Sequence, residues 1–181
     1  MAATVQLELP RVTEILKAAG LIDTKWLTEH GRDRGSAVHA ATQYYDEHDL
    51  DEASLDPQIA GYVAAYRKWR QESPVDEWEW IECPQQDPLG LYRGTLDRIL
   101  SRRPRELWDI KSGCPVPCTA LQMAAYVNML PDPYSYRRFA VYLKPDGTYH
   151  VREYLRTHYA RDLRIFMSAL NIYQWRKEHH V

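Results

Sequence analysis

Phenylalanine is almost missing from this chain, and cysteine is scarce. Two Phe stand beside thirteen Tyr and six Trp in 181 residues. So Tyr-rich a set has polar tips, which suits half-wet surfaces, subunit contacts or base stacking without choosing among them. The three cysteines, Cys83, Cys114 and Cys118, exclude a four-cysteine zinc or iron–sulfur centre within one chain. Their odd number, with no leader-like segment, sets the expectation of free thiols in a reducing cytoplasm. No apolar run approaches the roughly 18 residues that suggest a membrane-spanning helix. No nucleotide-cradling P-loop is present, so ATP hydrolysis is not expected. Repeats, low-complexity tracts and linkers are missing too, which leaves a single domain over residues 1–181 as the reading.

Charge of one sign is also lacking, since the formal net charge is −2. Global charge therefore does not advertise nucleic-acid binding. Local clusters do exist: Arg32 with Arg34, Arg67-Lys68 with Arg70, Arg102-Arg103 with Arg105, and Arg137-Arg138. Each is either a solvated face or a phosphate-binding patch.

Apolar residues make up 45% of the chain, enough for a sizeable core. Residues 10–20 read as a short helix opened by Pro10, capped by Thr13 and ended by Gly20. A second helix is expected from Asp33 to His48, with Ala37, Val38, Ala41, Tyr44 and Tyr45 as its apolar stripe. Asp56-Pro57 opens a third, carrying Ile59, Val63, Tyr66 and Trp69. Residues 77–83, 91–100 and 105–111 read as strands, and 117–130 as a helix stopped by Pro131 and Pro133. Two further strands, 136–144 and 148–155, flank the turn Pro145-Asp146-Gly147. A long amphipathic helix covers 159–177. This order predicts an α/β fold, with a helical N-terminal part (10–72), a core (77–155) built on a central mixed sheet flanked by helices, and the C-terminal helix (159–177).

Alternation along a strand puts Asp109 and Lys111 on one face and Ile110 on the other. If the preceding turn is centred on Arg103, antiparallel pairing sets Asp97 opposite Asp109, with Cβ atoms about 5 Å apart. Two carboxylates that close repel unless a cation lies between them, and hard oxygen donors suit Mg²⁺ or Mn²⁺. Gly94 marks either a simple kink or a close approach that leaves room for a DNA strand. Gln122 and Tyr126, four apart, share a helical face; taken alone, Tyr126 reads as core and Gln122 as exposed. Glu82 is either a further acidic partner or an exposed strand residue. A helical histidine such as His39 is, by itself, usually structural.

In combination, RGSAVH (34–39), GTLD (94–97), WDIKSG (108–113) and QMAAY (122–126) resemble the PD-(D/E)xK nuclease superfamily, in its RecB-like branch. The resemblance spans about residues 30–130, and LPRVTEILKAAG is similar to the start of phage-borne members. It implies a restriction-endonuclease-like core. It implies His39, Asp97 and Asp109 as side-chain ligands of Mg²⁺ or Mn²⁺, with the Ile110 carbonyl as a backbone ligand. Lys111 would position or deprotonate the attacking water and stabilise developing charge. Gln122 and Tyr126 would support the site or contact DNA, together with Arg32, Arg34, Arg93 and Ser112. The residue before Ile110 is Asp109, where the branch usually has Glu, and the iron–sulfur cysteines of CRISPR-adaptation nucleases are missing, so no cluster is expected. The nearest functional expectation is a phage-type or bacterial exonuclease of recombination or repair acting on DNA ends. Its partners would be DNA, further copies of itself and a strand-annealing protein. An endonuclease, an end-trimming nuclease and a DNA-binding protein without catalysis are the alternatives.

Overall fold

The computed structural model describes residues 8–22, 29–73, 75 and 77–180. Three helices come first: α1 (Val12–Ala18), α2 (Glu29–Asp46) and α3 (Pro57–Glu72). A five-stranded sheet follows, formed by β1 (Trp80–Gln86), β2 (Arg93–Leu100), β3 (Glu106–Lys111), β4 (Arg137–Leu143) and β5 (Tyr149–Tyr154). Helix α4 (Thr119–Asn128) lies between β3 and β4, and α5 (Tyr159–His179) follows β5.

Strand order in space equals order in the chain, β1-β2-β3-β4-β5. Three contacts are antiparallel, while β3 and β4 run parallel with Glu106 beside Arg137 and Lys111 beside Tyr142. A parallel pair cannot be joined by a tight turn, and α4 supplies the crossover. The fold is thus α/β, a mixed sheet with helices on both faces. Against one face, α1, α4 and α5 bury Ile15, Leu16, Met123, Val127, Phe166 and Leu170. Against the other, α2 and α3 bury Val38, Val63, Tyr66 and Trp69 with Trp108 and Phe139 of the sheet. Trp108 stacks on Phe139 at 4.2 Å between ring centroids and meets Trp69 at 5.1 Å. Each such ring pair adds about 0.5–1.5 kcal/mol beyond the area it buries.

Local chemistry explains most element ends. Asp56 caps α3 by accepting the Gln58 N–H at 2.8 Å, and Pro57 fills the first helical position, where a missing N–H costs nothing. The β4–β5 turn needs the left-handed backbone that Gly147 adopts at φ 79°, and Asp146 holds the Thr148 N–H at 3.0 Å. Helix α5 is fixed to the sheet by Arg138, which is buried and reaches Asp162 at 3.1 Å and the Leu155 carbonyl at 2.9 Å.

Several boundaries differ from expectation. The first strand spans Trp80–Gln86, not 77–83. The Glu79 carboxylate caps the β2–β3 turn instead, accepting the Ser101 and Arg102 N–H groups at 2.7 and 3.0 Å. Pro84 does not end the strand because β1 is an edge strand, where a missing N–H breaks no inner ladder. Thr13 is not the cap of α1: the helix already begins at Val12, and Glu14 reaches back to the Arg11 N–H at 2.9 Å. Helix α2 begins at Glu29, a turn before Asp33, and ends at Asp46. No helix among the described residues is long and apolar enough to cross a membrane.

Candidate metal centre

The β2–β3 ladder pairs Arg98 with Trp108, Ile99 with Leu107 and Leu100 with Glu106. That register, extended by one residue, sets Asp97 against Asp109. There the strands part, and the Asp97 side chain takes over the link: its Oδ2 accepts the Ile110 N–H at 2.6 Å. Ile110 itself points into the core on the α2/α3 side. Its peptide is thereby fixed at the site by a carboxylate.

Two other elements converge on Asp97. From α2, His39 Nδ1 lies 3.5 Å from Asp97 Oδ2 and 3.7 Å from Glu82 Oε1. From β1, Glu82 stands across the register from Asp97, between the pairs Ile81–Arg98 and Cys83–Leu96. Ligand atoms of His39, Glu82 and Asp97 all lie within 4.8 Å of one another. Glu82 holds a left-handed φ of 46°, rare for a side chain of its kind. Such strain costs about 1–3 kcal/mol and persists only where surrounding contacts impose it.

The contact that holds Glu82 is Arg98. This arginine is fully buried behind the cluster. It donates to Glu82 Oε1 at 3.0 Å, to the Asp97 carbonyl at 2.7 Å and to Asp46 Oδ2 at 2.6 Å. Asp46 also accepts from Arg70 at 3.0 Å and from the Tyr66 hydroxyl. Thr42 completes the frame, donating to the His39 carbonyl at 2.9 Å. His39, Thr42 and Asp46 are spaced i, i+3, i+7, so α2 turns one stripe toward Arg98. Neither Arg98 nor Asp46 was a sequence candidate. The helical spacing from His39 was a signal for Asp46, while Arg98, on strand β2, carried none.

On the other side of Asp97 lies Asp109, which is 1% exposed. Lys111 Nζ sits 2.7 Å from its Oδ2, and its Oδ1 has no hydrogen-bond partner among the described residues. Burial raises the Asp109 carboxyl pKa to about 6, although Lys111 pulls the other way. Burial opposes the Lys111 ammonium, but Asp109 and Asp97 outweigh it and hold its pKa above the ordinary lysine value. The His39 pKa is raised chiefly by the Asp97 charge, against the effect of burial.

Helix α4 backs Lys111. Gln122 Oε1 accepts from Lys111 Nζ at 3.1 Å, and Gln122 Nε2 donates to the buried Tyr126 hydroxyl at 2.9 Å. Gln122 is therefore half-buried at the site and not an exposed residue. A Cβ at Gly94 would lie 2.7 Å from Tyr126 Cε1, so the glycine makes room for the Tyr126 ring.

The donors open onto a cleft of about 880 Å³ lined by His39, Glu82 and Lys111 and by Arg11, Lys17, Arg32 and Arg34. Ser112 lines it too. Arg93 lies apart. Its Nε donates to the Leu9 carbonyl at 3.0 Å and its guanidinium also meets Glu8, so it pins the segment before α1. The cysteines are free thiols, none of them in the cluster. No protein-family model matches this sequence, and no curated protein matches it.

The donor set fits a divalent cation. The two carboxylates and the imidazole that converge, Glu82, Asp97 and His39, are hard-to-borderline ligands that suit Mn²⁺ or Mg²⁺, while Asp109 stands outside that group of mutually close atoms. The buried, unpartnered Asp109 Oδ1 is the kind of atom that calls for a cation or water.

Proposed function

We propose that this protein is a metal-dependent deoxyribonuclease of the PD-(D/E)xK type, with His39, Asp97, Asp109 and the Ile110 carbonyl holding Mg²⁺ or Mn²⁺. The observation that carries the reading is the cluster itself: four sequence motifs from α2, β2, β3 and α4 meet at one fork in the sheet, beside a basic cleft. The nuclease core, the activity and the metal are one proposal, since each depends on the same residues.

A bound divalent cation would polarise a phosphoryl oxygen and acidify a water. The chain's own part is positioning and charge. Lys111, kept as an ammonium by Asp109 and Asp97, suits stabilisation of the pentavalent phosphate better than proton abstraction. Its Nζ is aimed by Gln122, which Tyr126 holds in turn. Burial keeps the Asp109 carboxyl protonated more readily in the metal-free protein, and the cation it helps to bind would keep it ionised. Glu82 adds a further carboxylate beside Asp97, with one oxygen held by Arg98. Arg11, Lys17, Arg32 and Arg34 would receive the phosphates that flank the scissile bond.

By its likeness to the RecB-like branch, the protein acts on DNA ends as an exonuclease. Cleavage of end-labelled linear duplex and of closed circular DNA, with Mg²⁺, Mn²⁺ or EDTA, tests this. Metal-dependent loss of linear DNA alone is expected. Cutting of the circle would move the assignment to endonuclease, and cleavage of neither DNA under any metal would overturn it.

A further inference from the structure

Given the nuclease reading above, we propose that a groove beside the metal cluster binds an unpaired deoxynucleotide, so that the site takes single-stranded DNA or a frayed end. The groove has a volume of about 690 Å³ and shares Arg34, Ser112 and Gly113 with the basic cleft. It crosses the C-terminal ends of the parallel strands β3 and β4.

Its walls are aromatic. Tyr62 of α3 and Tyr149 and His150 of β5 all line it, the two adjacent β5 residues from opposite faces of the sheet. His150 is exposed and Tyr149 half-buried, so both offer ring surface. The Tyr62 wall is rigidly placed because Gly61 abuts the Pro145 carbonyl so closely that no Cβ fits between them. The charge is complementary to a nucleotide: Arg34 and Lys144 line the groove, and no lining residue among those described is acidic. Arg34 stands at the junction with the cleft. Its guanidinium lies 5.5 Å over the Tyr62 ring, and its buried Nε has no hydrogen-bond partner among the described residues.

A volume of this size holds one or two nucleotides and not the width of a duplex. Inside a duplex the base faces are covered by their neighbours, so only an unpaired base can lie on a ring. Aromatic faces with cations at the rim are the usual platform for single strands, and they bind with little regard to sequence. A nucleotide with its phosphate at Arg34 would have its base in the groove and its neighbouring phosphate in the cleft with Lys111.

The test is equilibrium binding by fluorescence anisotropy with Ca²⁺ in place of Mg²⁺. The probes are a labelled oligothymidylate and an abasic strand of the same length. Wild-type protein is expected to prefer the strand with bases by about tenfold. His150→Ala and Tyr149→Leu, checked for fold by circular dichroism, are each expected to reduce that preference severalfold while leaving abasic binding unchanged. Equal wild-type affinity for the two strands, or an undiminished preference in both variants, would overturn the groove. Loss of metal-dependent cleavage from the picture would not do so, because the preference is read without catalysis; conversely, cleavage without a base preference removes the groove and leaves the nuclease.

Discussion

Asp97 Oδ2 accepts the Ile110 N–H at 2.6 Å and, from the same atom, faces His39 Nδ1 at 3.5 Å. One carboxylate oxygen thus closes the fork between β2 and β3 and points two other elements at a common centre. Structure and chemistry are joined at that atom, and they can be separated by substitution. Asp97→Asn keeps an oxygen acceptor for Ile110 and removes the charge. It should fold with little loss of stability and fall at least a hundredfold in cleavage rate. Asp97→Ala strands a buried N–H and should cost about 1–3 kcal/mol in addition. Denaturant melts beside single-turnover rates check both.

Arg98 should be far more important to stability than an exposed arginine nearby. Its removal, as in Arg98→Met, leaves Asp46 and Glu82 short of a buried partner and should cost about 3–5 kcal/mol. Arg102→Ala breaks a pair whose arginine is 66% exposed and should change stability by no more than about 1 kcal/mol. Urea denaturation of the two variants makes the comparison.

Gly94→Ala should act at a distance. The new methyl would meet Tyr126 Cε1 at 2.7 Å, and Tyr126 is buried and holds Gln122 against Lys111. Overpacking of this kind costs about 1–3 kcal/mol. With Gln122 displaced, kcat should drop severalfold while KM changes less. A larger effect on KM than on kcat would separate Gly94 from the Lys111 support.

The metal-free protein should lose stability as pH rises. The Asp109 carboxyl has its folded pKa raised to about 6, so the folded state holds a proton that the unfolded state has released. That contribution is fully present below the unfolded value, near 3.9 for an aspartate, and is lost as pH rises through about 6. His39, also raised, adds in the same direction. A bound cation reverses the trend because it replaces those protons. The rise in Tm on adding Mn²⁺ should therefore be larger at pH 8 than at pH 5.5. A rise independent of pH would disconnect Asp109 and His39 from the cation.

Much of this site was legible before the fold. A turn centred on Arg103 sets residues whose numbers sum alike against each other, and the observed pairs Arg98–Trp108 and Ile99–Leu107 follow that rule. The apolar spacing of α3 and its Asp56-Pro57 start also read directly. What did not read were contacts between distant segments. A buried arginine inside a strand looks like any surface charge until its partners arrive from α2 and β1. The left-handed backbone of Glu82 has no sequence signal, since nothing in IEC demands it. Gly94 could be flagged as special, but only the position of Tyr126 shows what the missing Cβ accommodates.

The central claim is that these side chains hold a divalent cation, and equilibrium Mn²⁺ binding followed by electron paramagnetic resonance tests it most directly. Wild-type protein should bind Mn²⁺, with Asp97→Asn weakening the binding at least tenfold and Lys111→Ala retaining it. Binding unchanged in Asp97→Asn, or no Mn²⁺ bound by the wild type even with DNA present, would contradict the account.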